Sequence, residues 1–202
     1  MFRESIVAVD LETGGLVAGI HPILTLAMVT ITKEGEIVNP LNLSIKYDNY
    51  DNVEEAALAK NGINLEEHDK IATPWNECQE IINVYIRDAC YNPDTGKKHA
   101  ARFLGHNVGF DLDHLSHFQS NFSDLSFRGA KIDTQSMVND LYVRGIIDCR
   151  FSRLEKICGY YDIPILAHDA LSDIMATAEL YLHLINLEEK FYYRKLKEHH
   201  DI

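Results

Sequence analysis

Hydrophobic residues form three runs in the first quarter of the chain, and turn residues separate these runs. Residues 5–10, 23–32 and 37–47 are rich in Ile, Val, Leu and Thr, a composition that is typical of strands. Glycines interrupt the chain between the first two runs, and the Lys-Glu-Gly-Glu sequence at 33–36 predicts a hairpin turn. The pattern therefore predicts an antiparallel meander, in which Pro40 either interrupts the third strand or places it at a sheet edge.

After residue 50 the apolar positions recur with the period of an amphipathic helix. The spacing predicts a short helix over 53–60 that ends at Gly62, and a longer helix over 75–89 that follows Pro74. The remaining elements are predicted as strands at 101–105 and 130–133 and as helices at 111–120, 134–142, 152–160 and 170–189, with a charged extension at 190–198. A meander followed by alternating strands and helices indicates one α/β domain over residues 1–202, with a mixed sheet flanked by helices.

The composition excludes several classes of protein. Hydrophobic residues make up 46% of the chain and charged residues 25%, which excludes collagen, coiled coil and disorder. The formal net charge of −12 argues against a general polyanion binder, because phosphate neutralisation supplies most of the affinity of such proteins. The uncharged stretch at 13–32 contains glycine, histidine and proline, so a buried strand after a turn explains it better than a membrane span.

The cysteines and the N-terminal residues predict where the protein resides. No two of the four cysteines form a Cys-x-x-Cys pair, and four are too few for a disulfide scaffold. We therefore expect a reduced, cytoplasmic protein. No long apolar segment precedes Asp10, so we expect no signal peptide.

Two carboxylates close the first predicted strand. Asp10 and Glu12 lie two positions apart, and the period of a strand places both side chains on one face. Like charges so placed repel each other unless a cation lies between them, and Mg²⁺ prefers oxygen ligands of this kind. An isolated Asp-x-Glu is ordinarily a solvated strand end. The Thr-Gly-Gly sequence at 13–15 favours a site, because a glycine turn exposes backbone N–H groups to an anionic ligand.

Two later segments place acidic residues near the beginning of predicted helices. Asp111 follows the Gly-His-Asn-Val-Gly-Phe sequence at 105–110, in a first helical turn where a carboxylate also interacts favourably with the helix dipole. Asp173 lies in the second turn of the helix that begins at 170, and His168 directly precedes this helix. A carboxylate among apolar helix residues requires a partner. The arrangement predicts a metal-binding carboxylate beside an imidazole that reaches a nearby water.

These three segments occur in an order that is typical of one nuclease family. Val-Asp-Leu-Glu-Thr-Gly-Gly at 9–15, Gly-His-Asn-Val-Gly-Phe-Asp at 105–111 and the His-x4-Asp spacing from His168 to Asp173 resemble the three motifs of the DEDDh 3′-to-5′ exonucleases. That family includes the proofreading subunit of DNA polymerase III, oligoribonuclease and ribonuclease T. Lesser similarities lie at 55–63, 132–134 and 152–158, within a resemblance that runs from residue 5 to residue 187.

The resemblance implies a ribonuclease H-like fold that binds two Mg²⁺ or Mn²⁺ ions. It implies that Asp10, Glu12, Asp111 and Asp173 are the metal ligands and that His168 is the general base for the attacking water. Two ions about 3.5–4 Å apart stabilise both the attacking and the leaving oxygen of a phosphoryl displacement. An imidazole of ordinary pKa, about 6.5, accepts a proton at neutral pH.

The resemblance also implies how the substrate binds. Nucleoside 5′-monophosphates leave from the 3′ end of single-stranded DNA or RNA. The residues expected to contact the terminal nucleotide or to place the scissile strand are Thr13, Gly14, Leu16, Asn107 and Phe110. A core position is the alternative for Phe110.

Three groups of basic residues are further candidates for contacts with nucleic acid. The groups are Lys97, Lys98, His99 and Arg102; Arg144, Arg150 and Arg153; and Tyr192, Tyr193, Arg194, Lys195 and Lys197. Each group could follow phosphate or, where aromatic rings are present, stack on bases. A solvated basic surface is an equal alternative for the first two groups, and the alternative for the third is that it merely ends the last helix.

The sequence therefore predicts a 3′-to-5′ exonuclease acting on single-stranded ends, with DNA slightly favoured and RNA trimming as the alternative. A non-catalytic binding module of the same fold would lack at least one of the five implied catalytic residues, and all five are present. A Mg²⁺-dependent phosphatase that acts on small nucleotides is a third hypothesis, and such an enzyme would need a closed pocket. We expect no membrane association, and a homodimer or a replication or repair partner remains open.

Overall fold

The computed structural model describes residues 2–92, 95–117, 130–166 and 168–200 of the chain. The last three positions of the helix predicted over 111–120 lie outside these ranges. Every other predicted strand and helix is present, and the ends differ from the predictions by at most three residues. The charged extension predicted at 190–198 continues the preceding helix.

The strands confirm the predicted mixed sheet. They are β1 (Ile6–Thr13), β2 (Ile23–Ile31), β3 (Ile37–Lys46), β4 (Thr73–Pro74), β5 (Tyr91–Asn92), β6 (Lys97–Lys98), β7 (Phe103–Gly105) and β8 (Lys131–Asp133). Six of them form one sheet in the order β4-β3-β2-β1-β7-β8, and β5 pairs with β6 in a separate hairpin. β1, β2 and β3 form the antiparallel meander, while β1, β7 and β8 run parallel.

The proline in the third strand lies where sequence analysis expected it. β4 pairs with β3 only at Ile45 and Lys46, so the segment of β3 around Pro40 forms the free edge of the sheet. Asn39, directly before it, has a positive φ of 53° beside an irregularity in the pairing with β2. Pro40 is therefore tolerated because no neighbouring strand needs its missing N–H there.

Helices cover both faces of the sheet. They are α1 (Glu55–Asn61), α2 (Leu65–Ile71), α3 (Trp75–Ala89), α4 (Val108–His117), α5 (Thr134–Val143), α6 (Leu154–Tyr160) and α7 (Ala170–His200). The sequence did not predict α2, because His68 is its only buried side chain and no apolar stripe marks it. Its start has a clear local cause, since the Asn64 side chain accepts the N–H groups of Glu66 and Glu67.

Alternate residues of β1 contribute to two different cores. Val7, Val9 and Leu11 pack with α3 and α4 on one face. Ile6 and Ala8 pack under α7 on the other face. The alternation of a strand places the next two even-numbered residues, Asp10 and Glu12, on the α7 face. No helix within the described ranges is long and apolar enough to cross a membrane.

Candidate active site

The first two carboxylates lie at the end of a central strand. β1 is hydrogen-bonded to β2 on one side, where Asp10 and Glu12 lie opposite Ala27 and Thr25. Both acidic residues are half-buried, whereas Val9 and Leu11 between them are buried. The single-face placement predicted from their spacing is therefore confirmed.

Asp111 is attached to the same strand from the opposite side. β7 pairs with β1 at Val7 and Ala8 and ends at Gly105, so Leu11 lies beyond the reach of β7. The N–H of Leu11 instead donates to Asp111 Oδ1, at 3.1 Å. Asp111 is 5% exposed. This hydrogen bond places the third carboxylate next to the segment of β1 that holds the first two.

The chain turns sharply before α4 to bring Asp111 to this position. Asn107 has a φ of 65°, a conformation that asparagine adopts more readily than most residues. Its N–H donates to Asp133 Oδ1, which also accepts the N–H of Ser136 at the start of α5. Asp133 therefore caps α5 and ties it to the beginning of α4.

Gly105 makes the close approach of α4 to β1 sterically feasible. A Cβ atom at Gly105 would lie 2.9 Å from Val108 Cβ and 3.1 Å from the carbonyl oxygen of Val9. We expect Gly105→Ala to lower the free energy of unfolding by roughly 1–3 kcal/mol, measured by urea denaturation. Gly109→Ala, in the same motif, is the control. A Cβ there meets nothing within 4 Å, so we expect no loss of stability. Equal effects of both substitutions would contradict the steric explanation.

The fourth carboxylate and the histidine lie at the start of α7. Asp173 lies in the first turn of the helix, so the prediction of the second turn was wrong by one turn. The N–H of His168 donates to Asp173 Oδ2 at 3.2 Å, and His168 adopts a left-handed φ of 67°. Asp169 caps the helix, because its Oδ1 accepts the N–H of Ser172 at 2.8 Å. The turn thus holds the exposed His168 beside Asp173.

Burial raises the pKa of each of the four carboxyl groups, and repulsion within the group adds to this for Asp10, Glu12 and Asp111. The pKa of Asp10 lies well above its ordinary value because the group is buried and faces Asp111, Asp173 and Glu12. Burial and the charge of Asp173 raise the pKa of Glu12 to about 7, against a lowering effect of Lys60. Burial likewise raises the pKa values of Asp111 and Asp173. Perturbed carboxyl groups that converge in a cleft are typical of functional sites.

The donor atoms suit a hard divalent cation. Glu12, His168 and Asp173 each offer a ligand atom, and these atoms lie within 4.8 Å of one another. Asp173 Oδ1 is buried and has no hydrogen-bond partner among the described residues. A buried oxygen without a partner is costly, and a divalent cation would supply one while relieving the repulsion.

The N–H of Gly14 is bonded within the protein, and Gly15 packs against a neighbouring side chain. Thr13, Gly14 and Gly15 are buried, and the N–H of Gly14 donates to the carbonyl of Pro22 at 2.8 Å. The expectation that this N–H is open to an anionic ligand was therefore wrong. A Cβ at Gly15 would lie 2.5 Å from the ring of His21, so glycine allows the loop to pack closely on that side chain.

A cavity of about 290 Å³, here named the terminal cavity, opens beside Glu12. Thr13, Leu16 and Phe110 line it, and Leu16 is 75% exposed. Phe110 is half-buried and contacts the ring of His114, with centroids 4.4 Å apart and ring planes tilted by 48°. Gly14 does not line this cavity.

A neighbouring cavity of about 520 Å³, here named the catalytic cleft, contains His168 and Asp173. Asn107 lines the catalytic cleft rather than the terminal cavity. Of the five residues expected to contact the substrate, three therefore line the terminal cavity and Asn107 lines the catalytic cleft. Gly14 lies in the loop after β1 and lines neither space.

Sequence analysis missed two residues of α1 that belong to this region. Lys60 lines both the terminal cavity and the catalytic cleft. Asn61 lines the terminal cavity, and its Nδ2 donates to the carbonyl of Thr13 at 3.3 Å. The available signal was the similarity at 55–63, which includes the helix-terminating Gly62 with φ 70°.

The basic groups proposed from the sequence separate in space. Arg102 and His99 contact Glu4, which precedes β1 at the end opposite to Glu12. Arg144 forms ion pairs with Asp140 and Glu188 and donates to the Tyr192 hydroxyl. Arg153 lines the catalytic cleft.

Comparisons with known structures reveal the same fold in several nucleases. Exonuclease I of E. coli, in complex with a dT13 oligonucleotide, has a TM-score of 0.72 and 20% identity, over 95% of this chain and 43% of that chain. A moderately thermophilic exonuclease I from Methylocaldum szegediense has a TM-score of 0.69 and 19% identity, over 88% of this chain and 39% of that one. Cell-death related nuclease 4 has a TM-score of 0.68 and 16% identity, over 91% of this chain and 64% of that nuclease.

These similarities confirm the ribonuclease H-like fold implied by the sequence motifs. This chain spans less than half of the length of the exonuclease I proteins that it matches. A comparison of the sequence with curated proteins finds no match.

A family model, described as the exonuclease of the RNase T type, matches residues 7–181. The matched range includes all three motifs and therefore Asp10, Glu12, Asp111, His168 and Asp173. The chain accordingly belongs to the RNase T exonuclease family.

Proposed function

We propose that this chain is a 3′-to-5′ exonuclease, dependent on divalent metal, that releases nucleoside 5′-monophosphates from single-stranded ends. The convergence of four carboxylates and His168 on one edge of the sheet carries the proposal. The terminal cavity beside this edge has the volume of a small ligand site, in which a single nucleotide is a suitable occupant.

In this proposal the carboxylates hold two Mg²⁺ or Mn²⁺ ions. Asp10, Glu12, Asp111 and Asp173 are the ligands, and Asp10 is central because its carboxyl group interacts with those of the other three. The ions, when bound, neutralise the carboxylates and stabilise charge on the attacking and leaving oxygens of the phosphodiester. The four carboxylates then contribute little repulsion, which makes the acidic protein compatible with an anionic substrate at this point.

His168 is the proposed general base. Its imidazole is exposed to the catalytic cleft and lies beside Asp173, so it is accessible to a water molecule there. The hydrogen bond from its backbone N–H to Asp173 holds the residue at the cleft without using the ring nitrogens. An imidazole in this position accepts the proton that the attacking water releases.

The terminal cavity supports a preference for the end of a strand. Leu16 and Phe110 line this cavity and offer apolar surface to a base, and Glu12 at the cavity wall is the carboxylate that would face the scissile phosphate. DNA is the slightly favoured substrate, and the E. coli exonuclease I of the same fold is bound to a dT13 oligonucleotide. Trimming of RNA is the alternative.

Labelled single strands test this proposal. Single-stranded DNA and RNA, each labelled at either the 3′ or the 5′ end, are incubated with the protein and Mg²⁺ or Mn²⁺. We expect immediate release of a labelled mononucleotide from the 3′-labelled strand and progressive shortening of the 5′-labelled strand. Digestion from the 5′ end would refute the polarity. Binding without hydrolysis would indicate a non-catalytic module, and hydrolysis of free nucleotides alone would indicate a phosphatase.

The raised pKa of Glu12 predicts an unusual pH dependence of stability for the metal-free protein. The unfolded chain loses the Glu12 proton near pH 4.5, whereas the folded protein retains it until pH is about 7. Ionisation therefore favours the unfolded state across this window, and Tm is expected to fall as pH rises from 5 to about 7.

Divalent metal is expected to reverse this trend, because the cation competes with the protons for the same oxygen atoms. The increase in Tm on adding Mg²⁺ or Mn²⁺ is therefore larger at pH 8 than at about pH 5.5. Thermal unfolding followed by circular dichroism, with and without EDTA, measures both effects. The same metal-induced increase at both pH values would show that the cation binds elsewhere.

A further inference from the structure

We propose that a cavity next to the catalytic cleft, centred on Phe151, binds the nucleotides on the 5′ side of the scissile bond. This inference rests on the proposed exonuclease function and deepens it. The cavity has a volume of about 270 Å³ and is here named the outer cavity. Its walls include Asn139, Tyr142, Arg150 and Phe151.

The outer cavity continues the catalytic cleft without a break in its lining. Gln135 and Ser152 line both spaces. On the opposite side, Lys60 lines both the catalytic cleft and the terminal cavity. The three spaces therefore follow one another, with Asp173 and His168 in the middle space and Glu12 in the terminal cavity. A strand whose 3′-terminal nucleotide occupies the terminal cavity continues across the cleft toward the outer cavity.

Hydrogen bonds hold the connecting segment in place. The carbonyl oxygen of Ser152 accepts from His106 Nε2 at 2.8 Å and from Gln135 Nε2 at 2.9 Å. Burial lowers the pKa of His106 from its ordinary value. His106 Nδ1 lies within hydrogen-bond distance of the Thr134 hydroxyl oxygen, at 3.0 Å, and that hydroxyl donates to the carbonyl of Gly105 at 3.2 Å. These bonds connect the second motif to the loop that carries Phe151, and the outer cavity is thus preorganised relative to the catalytic residues.

The side chains of the outer cavity suit a single strand of nucleic acid. Phe151 is 47% exposed and contacts the ring of Tyr160, itself 50% exposed, in an edge arrangement with centroids 6.2 Å apart. Exposed aromatic rings of this kind stack on bases irrespective of sequence. The guanidinium of Arg150 lies 5.7 Å from the centre of the Tyr142 ring, which orients its charge without neutralising it.

Charge distinguishes this path from the other basic groups of the protein. Arg150 and Arg153 are exposed and form no ion pair within the described ranges. Arg144 and Arg102, in contrast, are already paired with carboxylates. In a protein of net charge −12, Lys60, Arg153 and Arg150 form a line of cations along the three spaces.

Two substrates of different length test the inference in the full chain. The p-nitrophenyl ester of thymidine 5′-monophosphate occupies only the terminal cavity and the catalytic cleft, whereas an oligothymidylate of about a dozen nucleotides also reaches the outer cavity. We expect Phe151→Ala to lower kcat/KM for the oligonucleotide, relative to kcat/KM for the ester, by roughly tenfold, the effect of losing one base stack. Phe151→Tyr retains an aromatic ring and is expected to restore the ratio.

Tyr91→Ala is the matched control. Tyr91 is 48% exposed, close to the value for Phe151, and it lies in the β5–β6 hairpin near Glu4, at the other end of the sheet. We expect Tyr91→Ala to leave both activities unchanged.

A second pair of variants tests the charge. A plot of the logarithm of oligonucleotide affinity against the logarithm of salt concentration measures the number of phosphate contacts. Arg153→Gln is expected to make its slope shallower by about 0.7, the contribution of one phosphate contact to single-strand binding. Arg87→Gln, exposed on α3, is expected to leave that slope unchanged.

The outcomes separate this inference from the proposed function. If Phe151→Ala lowers both activities equally, or neither, the outer cavity does not bind the strand. If the wild type hydrolyses neither substrate, the proposed exonuclease function fails, and fluorescence anisotropy with a 5′-labelled oligothymidylate then decides the inference. Weaker binding by Phe151→Ala than by Tyr91→Ala supports the outer cavity as a strand-binding surface, and equal binding overturns it.

Discussion

Replacement of Asp10 by Asn is expected to lower kcat by at least about 10³-fold, which corresponds to about 4 kcal/mol of lost transition-state stabilisation. Asp10 is the carboxylate whose charge interacts with those of Asp111, Asp173 and Glu12 together. Its loss removes a ligand from the centre of the proposed metal site. The release of mononucleotides from a 3′-labelled strand at saturating Mg²⁺ measures the effect.

The same substitution is expected to stabilise the metal-free protein. The ionised Asp10 is unfavourable in the folded state at neutral pH, because burial and three neighbouring carboxylates raise its pKa. An asparagine side chain has almost the same shape as that of aspartate and no charge, so Tm in EDTA rises, by about 2–4 °C for each kcal/mol gained. The opposite changes in activity and stability distinguish loss of a ligand from misfolding.

Asp113→Asn is the control for Asp10→Asn. Asp113 is exposed on α4, two positions from Asp111, and lines neither the terminal cavity nor the catalytic cleft. We expect neither activity nor Tm to change. Retention of normal activity by Asp10→Asn would refute the proposed ligand role. A lower Tm of the variant in EDTA would refute the repulsion inferred from the raised pKa.

Replacement of His168 by Ala is expected to lower kcat roughly 10²–10⁴-fold, the range that is typical for loss of a general base. Alanine is a poor choice by itself, because His168 adopts a left-handed φ of 67°, a conformation that histidine and asparagine adopt more readily than alanine. His168→Asn is the better variant, since asparagine tolerates this conformation and has no basic ring nitrogen. Both variants are expected to lose activity to a similar extent, while only the Ala variant loses stability.

A metal-binding measurement separates the two possible roles of this histidine. His168 lies close enough to Glu12 and Asp173 to act as a ligand instead of a base. If it is the base, the increase in Tm on adding Mg²⁺ is the same for His168→Asn as for the wild type. If it is a ligand, that increase becomes smaller. A loss of activity of less than tenfold in either variant would show that another group accepts the proton.

Much of the catalytic arrangement follows from local patterns in the chain. The spacing of Asp10 and Glu12 determines that both face the same side of β1, because successive residues of any strand alternate between faces. The alternation of strands and helices after residue 100 likewise predicts a mixed sheet with helices on it. The structure adds the reason for the glycine at 105, where a Cβ would meet Val108 and the carbonyl of Val9.

Local patterns were less informative where the cause of a conformation is a distant contact. Gly14 was expected to expose its N–H, but this N–H donates to Pro22, eight residues further along the chain. The helix α2 escaped prediction because a single buried side chain, His68, joins it to the sheet, where the ring bonds the carbonyl of Ile45. In both cases the partner lies elsewhere in the chain, and no periodicity encodes it.

The sequence by itself determined the family, the fold class and the five residues of the proposed catalytic centre, because their spacing and order within local motifs suffice to identify them. The tertiary structure alone decided which other residues adjoin them. Lys60 lies beside Glu12, and Ser152 lies beside His106, although 48 and 46 positions separate these pairs. Such proximity depends on the strand order and on the packing of α1, α5 and α6 around the sheet. The path from the terminal cavity to Phe151 is therefore a property of the folded chain.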